Sequence, residues 1–321
     1  MKKLRFGVLS TAKIGREKVI PAIQISERCV VDAIASRKAD RAGEVARELG
    51  IKRSYGSYEE LLEDENIAAV YIPLPNHLHV KWAIKALEAG KHVLCEKPIG
   101  MNADDARKLK EESEKYPDLK VMEAFMYRHH PRWKRTIELV QSGRLGDIKA
   151  VHSFFAFYND DPDNYRNNPE QGGGALMDVG CYCISVARMI YGREPDEVSA
   201  YSEEDPKFGT DRLTSGLLNF GSGTSVFSCS TQSQHDQYVK IYGTKGALKL
   251  DWSFNYDFDK ETLLQMSVGD EETVERFAPC NQFSLQADSF AESVLDDKPE
   301  LISLDDTIGN MEVIDRVRNG G

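Results

Sequence analysis

No apolar run in this chain approaches the roughly 20 residues that a membrane span requires. The opening Met1-Lys2-Lys3-Leu4-Arg5-Phe6 leads straight toward a strand without the apolar region of an export signal, so a cytoplasmic protein with no membrane partner is expected. Cysteine is scarce and scattered. The six residues are Cys29, Cys95, Cys181, Cys183, Cys229 and Cys280, and the one close pair is Cys-x-Cys rather than two Cys-x-x-Cys pairs. That spacing argues against a zinc site and for reduced, mostly buried thiols, and no metal is expected. Basic residues are outnumbered, 41 against 52 acidic ones, for a formal net charge of −11. Such a balance disfavours a nucleic-acid surface and requires any phosphate-bearing ligand to find local basic residues. Internal repeats and low-complexity tracts are also lacking.

What the chain does contain fits two domains. Its 321 residues exceed the roughly 250–300 at which single cores stop growing, and 41% apolar with 29% charged residues is ordinary for a globular protein. From Leu4 to about Lys120, short apolar runs alternate with helix-spaced patterns. Leu4–Leu9, Cys29–Ala35, Ala69–Ile72, His92–Cys95 and Leu119–Glu123 read as buried strands, with helices over Ile14–Ile25, Ala39–Leu49, His77–Ala89 and Ala103–Lys115. This alternation implies an α/β fold with a doubly wound parallel sheet. After about residue 124 the pattern changes. Pro131–Ser142 and Ala175–Tyr191 read as helices and Ile148–Tyr158 as extended. Strands follow over Leu213–Phe220, Thr224–Thr231, Tyr238–Tyr242 and Ala247–Leu250, separated by glycine turns in the manner of an antiparallel meander. Helices at about Gln286–Leu295 and Leu304–Val317 close the chain.

Phe6-Gly7-Val8-Leu9-Ser10-Thr11-Ala12-Lys13-Ile14-Gly15 lies where the Gly-x-Gly-x-x-Gly of a dinucleotide site would fall. Two of its three glycines are missing, replaced by Ser10 and Ala12. Small residues still let the backbone approach a pyrophosphate, whose charge the free amides of a helix start attract, so Ser10, Thr11, Ala12 and Ile14 are expected at the cofactor. The ribose-binding acid expected roughly 20 residues further on is missing too. The second strand ends in Ser36-Arg37-Lys38, a hydroxyl and two cations that suit a 2′-phosphate, which an acid would repel. The cofactor expected is therefore NADP, with NAD as the alternative.

Pro73-Leu74-Pro75-Asn76-His77-Leu78-His79 follows the strand Ala69–Ile72, on the carboxyl edge where open α/β sheets bind ligands. Asn76 suits the N-cap of the next helix, and Pro73, Leu74, Asn76 and His79 are expected beside the cofactor. His77 and His79 have no acidic or cysteine partner nearby in sequence, which favours packing or hydrogen bonding over metal. On the same edge, His92–Cys95 runs into Glu96-Lys97-Pro98. Oxidising CH–OH to C=O releases a proton as hydride leaves, and Lys97 is one candidate to manage it. A second lies behind the triplet Gly172-Gly173-Gly174. If the chain is helical from Leu176, Asp178 and Tyr182 stand four apart and present a carboxylate and a phenol together, while the glycines ahead permit close approach to a ligand.

Glu96-Lys97-Pro98, Glu123-Ala124-Phe125-Met126-Tyr127-Arg128 and Gly173-Gly174-Ala175-Leu176-Met177-Asp178-Val179-Gly180-Cys181-Tyr182 together resemble the glucose-fructose oxidoreductase / inositol dehydrogenase (Gfo/Idh/MocA) family. The likeness is closest to its branch of dihydrodiol dehydrogenases, xylose dehydrogenases and anhydrofructose reductases, and it spans essentially the whole chain. The resemblance implies an N-terminal Rossmann domain over 1–122 and a C-terminal α/β domain over 123–321 for substrate binding and oligomerisation, its terminal helices left open to pack on the first domain. It also implies a large open, mostly antiparallel sheet through which a homodimer or homotetramer forms. The implied activity is NAD(P)-dependent hydride transfer at a CH–OH or C=O group of a sugar, polyol or related cyclic diol, with NADP preferred.

By motif position Lys97 matches the family's active-site lysine, and Asp178 and Tyr182 match its acid and its proton-transfer residue. The inositol dehydrogenase branch carries histidine at the last position, so tyrosine points away from inositol. The resemblance thus assigns Tyr182 as general acid/base, Lys97 as the cation that polarises the substrate oxygen and Asp178 as substrate orienter, with exchange of roles between Lys97 and Tyr182 left open. Glu96, Tyr127 and Arg128 look like supports on the nicotinamide side, and Tyr165 and Arg166 like rim contacts. Two alternatives stand beside this reading: a non-catalytic dinucleotide-binding regulator, expected to lack the lysine or the tyrosine, and an NAD-dependent glycosidase of the same fold.

Overall fold

A computed structural model describes residues 3–320. They divide into two compact units, one running to Met126 and including Asn281–Ile308, the other comprising Tyr127–Cys280 and the residues from Gly309 on. The first unit holds β1 (Leu4–Leu9), α1 (Ile20–Ile25), β2 (Cys29–Ala35), α2 (Ala39–Glu48), β3 (Arg53–Tyr55), α3 (Tyr58–Leu62), β4 (Ala69–Ile72), α4 (His79–Glu88), β5 (His92–Cys95), α5 (Ala103–Ser113) and β6 (Val121–Glu123). Its sheet has the order β3-β2-β1-β4-β5-β6 and every pairing is parallel. The order reverses between β1 and β4, which is the Rossmann arrangement. β4 is buried along its whole length and β1 at all but one position, as central parallel strands covered on both faces must be.

Two elements of this unit escaped the sequence pattern. β3 is three residues long and half-exposed, and α3 is a helix of five residues, both too short to show a period. The helix expected over Ile14–Ile25 begins as a π turn, Gly15–Val19, before α1. Asn76 does not cap a helix: Pro75 holds that position, and Asn76 is buried inside a 3-10 turn leading into α4, itself preceded by Leu78.

The second unit holds α6 (Pro131–Gln141), β7 (Ile148–Tyr158), α7 (Cys181–Tyr191), β8 (Glu197–Glu204), β9 (Asp211–Asn219), β10 (Thr224–Ser230), β11 (Gln232–Gly243), β12 (Gly246–Asp251), β13 (Thr262–Val268) and β14 (Glu271–Phe277). Its sheet runs β14-β13-β12-β11-β7-β10-β9-β8 and is antiparallel except where β7 meets β10. This corrects the expected meander, because β7 sits between β10 and β11. Those two strands are separated by Thr231 alone, too little for a hairpin turn. The chain instead rounds the end of β7 between Gln232 and Asp236, where the register shifts.

α7 packs against β7 and β10, and α6 against β13. The opposite face leaves Tyr201, Leu217, Val226 and Tyr242 exposed. Residues Pro169–Tyr191 are long and apolar enough, by length and composition alone, to cross a membrane, contrary to the expectation, but the most apolar part of the stretch is 89% buried inside the fold. α8 (Gln282–Leu295) belongs to the first unit, where Phe290 meets Phe6 at 5.9 Å and the Cys29 thiol donates to the Ala287 carbonyl at 3.3 Å. α9 (Leu304–Arg318) begins in the first unit and ends in the second. All six cysteines are free thiols, and all but Cys280 are buried.

Phe254 is the hub of the second unit's aromatic core. Fully buried, it stacks on Phe155 at 5.3 Å and on Trp133 at 6.4 Å, and it meets Tyr127 at 5.3 Å and Tyr182 at 5.4 Å. Phe254→Ala should cost about 3–5 kcal/mol of stability. Equilibrium urea unfolding checks this, and a loss below about 1 kcal/mol would contradict the packing described.

Candidate active site

The loop after β1 replaces glycine with a side-chain device. Ser10 takes φ 138°, a backbone region that favours glycine. Its hydroxyl accepts the Ala12 N–H at 2.9 Å and donates to the Pro73 carbonyl at 3.4 Å, tying this loop to the one after β4. Thr11 and Ala12 are half-buried and Ile14 is 38% exposed, so the turn presents a small, open backbone surface. At the end of β2, Ser36 is half-buried while Arg37 and Lys38 are exposed. The Ser36 hydroxyl accepts the Lys38 N–H at 3.3 Å, and burial raises the Tyr58 phenol's pKa while the positive charge of Arg37 opposes the shift. A small-residue turn, with a hydroxyl and two cations in place of an acid at the end of β2, fits a dinucleotide carrying an extra phosphate.

Lys97 follows β5 on the same carboxyl edge, and three buried polar side chains fix its loop. The Tyr71 phenol donates to Glu96 Oε1 at 2.6 Å. Nδ1 and Nε2 of His79 lie 2.8 Å from the Pro98 carbonyl and 2.6 Å from the Leu74 carbonyl. Glu123 Oε1 accepts the Ile99 N–H at 2.9 Å, while its Oε2 accepts the Thr307 hydroxyl at 2.8 Å. The Lys97-Pro98 peptide between these anchors is cis. His79 is fully buried with both ring nitrogens at backbone carbonyls, so it supports the edge rather than reaching a ligand, and a His77-His79 chelate is ruled out. Burial lowers that ring to about 4, the two carbonyls opposing the shift. Leu74 and Asn76 are likewise buried.

In the second unit, Leu176–Gly180 forms a π turn that runs into α7, so the expected regular helix from Leu176 is widened at Asp178. Single π turns often mark functional sites. Tyr182 is 3% exposed, ringed by Phe155 at 5.4 Å, Phe254 at 5.4 Å and Tyr127 at 5.8 Å. Asp178 is buried and accepts Arg166 Nε at 2.6 Å. Burial works against the Arg166 charge, yet the Asp178 carboxylate, with Tyr165 and Tyr182 adding to it, holds the guanidinium above the ordinary arginine range.

The glycine triplet serves this chain rather than a ligand, contrary to the sequence reading. A Cβ on Gly173 would overlap the Arg166 carbonyl, and one on Gly174, at φ 109°, would overlap the Asp211 carboxylate. Arg128 and Tyr165, both expected at the cofactor, lie in this second unit, and Tyr165 opens a 3-10 turn beneath the Arg166 guanidinium. Tyr127, expected as a support, is wholly buried and shares a hydrogen bond with Ser185 at 2.8 Å.

Residues 4–125 match the oxidoreductase family with an NAD-binding Rossmann fold, and residues 133–249 match the GFO/IDH/MocA C-terminal domain. The chain belongs to the GFO/IDH/MocA family. As a member of it, the chain is a hydride-transferring oxidoreductase that uses a nicotinamide dinucleotide. Among similar proteins, D-xylose 1-dehydrogenase (NADP(+)) 2 of Haloferax volcanii is 40% identical over 98% of this chain and 96% of its own length. Trans-1,2-dihydrobenzene-1,2-diol dehydrogenase of Sus scrofa is 35% identical over 77% of this chain and 74% of its own. The crystal structure of KijD10, a 3-ketoreductase from Actinomadura kijaniata in complex with NADP and TDP-benzene, superposes with a TM-score of 0.92 at 28% identity, covering 99% of this chain and 98% of that one.

Two residues to which the sequence reading gave no role help hold this geometry, Glu123 and Asp211, and Arg166, expected as a rim contact, is instead paired with Asp178. Glu123 stood inside a quoted motif but had no assigned partner. Asp211, whose carboxyl burial pushes up, accepts the Leu176 N–H at 2.8 Å and the Thr214 hydroxyl at 2.7 Å, and only tertiary structure brings it to that turn.

Burial lowers His92 to about 4 and His129 and His130 each to about 3. In the unfolded chain these rings take up protons near pH 6.5. Below that pH the unfolded state therefore binds more protons than the folded one, and stability should fall as pH drops from about 6.5 toward 4. Urea midpoints measured across that interval check this, and a flat profile would contradict it.

Proposed function

We propose that the chain is an NADP-preferring dehydrogenase or reductase acting on a CH–OH or C=O group of a sugar, polyol or related cyclic diol. The observation that carries this reading is that both residues with proton chemistry stand in prearranged settings: Lys97 on a loop anchored by Tyr71, His79 and Glu123, and Tyr182 one turn beyond a paired carboxylate. The substrate class rests on the relatives named for D-xylose and for a dihydrobenzene diol.

When bound, the nicotinamide supplies the hydride acceptor or donor. Ser10, Thr11, Ala12 and Ile14 would hold the pyrophosphate side, Ser36, Arg37 and Lys38 the 2′-phosphate, and Pro73, Leu74, Glu96, Arg128 and Tyr165 would line or support the rest. Tyr182 takes the carbinol proton in oxidation and returns it in reduction, and the Lys97 ammonium polarises the substrate oxygen. Asp178 orients the substrate hydroxyls.

Absorbance of NADPH with D-xylose and with trans-1,2-dihydrobenzene-1,2-diol tests this. We expect catalytic efficiency with NADP to exceed that with NAD by at least about 10-fold, and Arg37→Ala to remove most of the difference. Lys97→Ala should abolish turnover while leaving cofactor binding, read by fluorescence, nearly intact. A preference for NAD would contradict the cofactor assignment, and near-normal turnover in Lys97→Ala would contradict its role.

We also propose a homodimer or homotetramer formed through the uncovered sheet face, supported by Tyr201 at 70%, Val226 at 44% and Leu217 at 42% exposure. Val226 is in register with Leu217, and Phe154 stacks on Tyr238 at 5.9 Å, so apolar side chains from neighbouring strands share this face with Ser215, Ser228, His152 and Lys240. Sedimentation should show an oligomer that Val226→Glu converts to a folded monomer. A monomeric parent chain would refute this.

A further inference from the structure

The loop between β7 and the π turn carries more of the chemistry than a rim contact would. Arg166 is fixed from every side. Its backbone N–H donates to Asn164 Oδ1 at 3.1 Å, and its carbonyl accepts the Gly174 N–H at 2.8 Å at the point where Gly173 leaves room for it. Its guanidinium lies 4.7 Å from the Tyr165 ring centre and 5.8 Å from that of Phe157. The neighbouring Asn167 anchors the loop through Asn159 Oδ1 at 3.0 Å and the Asp161 carbonyl at 2.8 Å. This locked arginine meets the one carboxylate on Tyr182's own turn, at 2.6 Å. A carboxylate buried to 4% exposure and left uncompensated would oppose ionisation of any phenol beside it.

We propose that Arg166 is a positioning residue of the reaction, acting through Asp178: it aims the carboxylate and cancels its charge beside Tyr182. The inference deepens the assignment of Tyr182 and Asp178 and rests on that reading for its catalytic consequence. The charged and titratable groups around the pair in this unit are Tyr165 on the loop, Tyr182 on α7, Tyr127 beside the Tyr182 ring, and Asp211 on β9 with Arg318 from α9 near it. Of these only Arg318 carries a positive charge, and its guanidinium pairs with Asp315 at 3.5 Å and reaches the Met177 sulfur at 2.8 Å.

The full chain, labelled at aspartate Cγ, is titrated by NMR, the Asp178 signal being assigned by its loss in Asp178→Asn. Arg166→Met should raise the Asp178 midpoint by about one pH unit or more, and Arg166→Lys should recover most of the shift. With D-xylose and NADP, Arg166→Met should lower kcat roughly 10- to 100-fold, leave the Kd for NADP unchanged and move the acid limb of the pH profile upward with the carboxyl midpoint. Should Arg166→Met fail to fold, Arg166→Met/Asp178→Asn leaves no uncompensated buried charge, and its turnover should match that of Asp178→Asn alone.

An unmoved carboxyl midpoint, or a loss in the double variant that adds to that of Asp178→Asn, overturns the inference. A parent chain that turns over no sugar while the midpoints shift as expected counts against the proposed substrate class and leaves the charge compensation by Arg166 standing.

Discussion

A buried polar group must find a partner, and in this protein that requirement does the work of holding reactive segments still. Loops at the carboxyl edge of a parallel sheet are otherwise the mobile part of such folds. Here the loop carrying Lys97 is anchored by Tyr71 at Glu96, by His79 at Pro98 and by Glu123 at Ile99, all from inside the first unit. The turn leading to Tyr182 obeys the same rule, with Asp211 at Leu176 and Arg166 at Asp178. Neither segment depends on an exposed ion pair, the class of interaction that contributes least to geometry or stability.

The same principle explains how the first loop manages without glycine. The serine hydroxyl at position 10 accepts an N–H two residues on and reaches the Pro73 carbonyl, so the side chain supports a backbone angle that glycine would adopt unaided. A loop built this way is tied to its neighbour after β4. At the end of β2 the Ser36 hydroxyl accepts the Lys38 N–H in the same two-residue pattern.

Much of the fold was legible because the central strands β1, β2, β4 and β5 are largely apolar runs, interrupted only by Arg5 and Asp32 and opened by His92 in β5, between helix-spaced segments, a pattern characteristic of strands buried on both faces. The motifs and their order also pointed to Lys97, Asp178 and Tyr182, the residues we propose for the chemistry. Three strands of ordinary length went unassigned, β8, β13 and β14, of which β8 and β14 lie at the sheet's edges and β14 carries few apolar residues. β3 and α3 are too short to carry a period. The passage of the chain around the end of β7 is a tertiary pairing choice that alternation in β10 and β11 cannot reveal. The glycine triplet looked like a place for a ligand, and the chain's own Arg166 carbonyl and Asp211 carboxylate occupy that space. The apolar stretch to Tyr191, overlooked as a span-length run, is long because α7 is buried on nearly every side.

The roles proposed for Lys97 and Tyr182 in hydride transfer are most directly tested by following the hydride itself. With D-xylose deuterated at C1 and NADP, the recovered dinucleotide should carry one deuterium at C4 of the nicotinamide, and Tyr182→Phe should suppress its appearance. Consumption of the sugar with an unlabelled dinucleotide, or undiminished label transfer in Tyr182→Phe, would contradict the account.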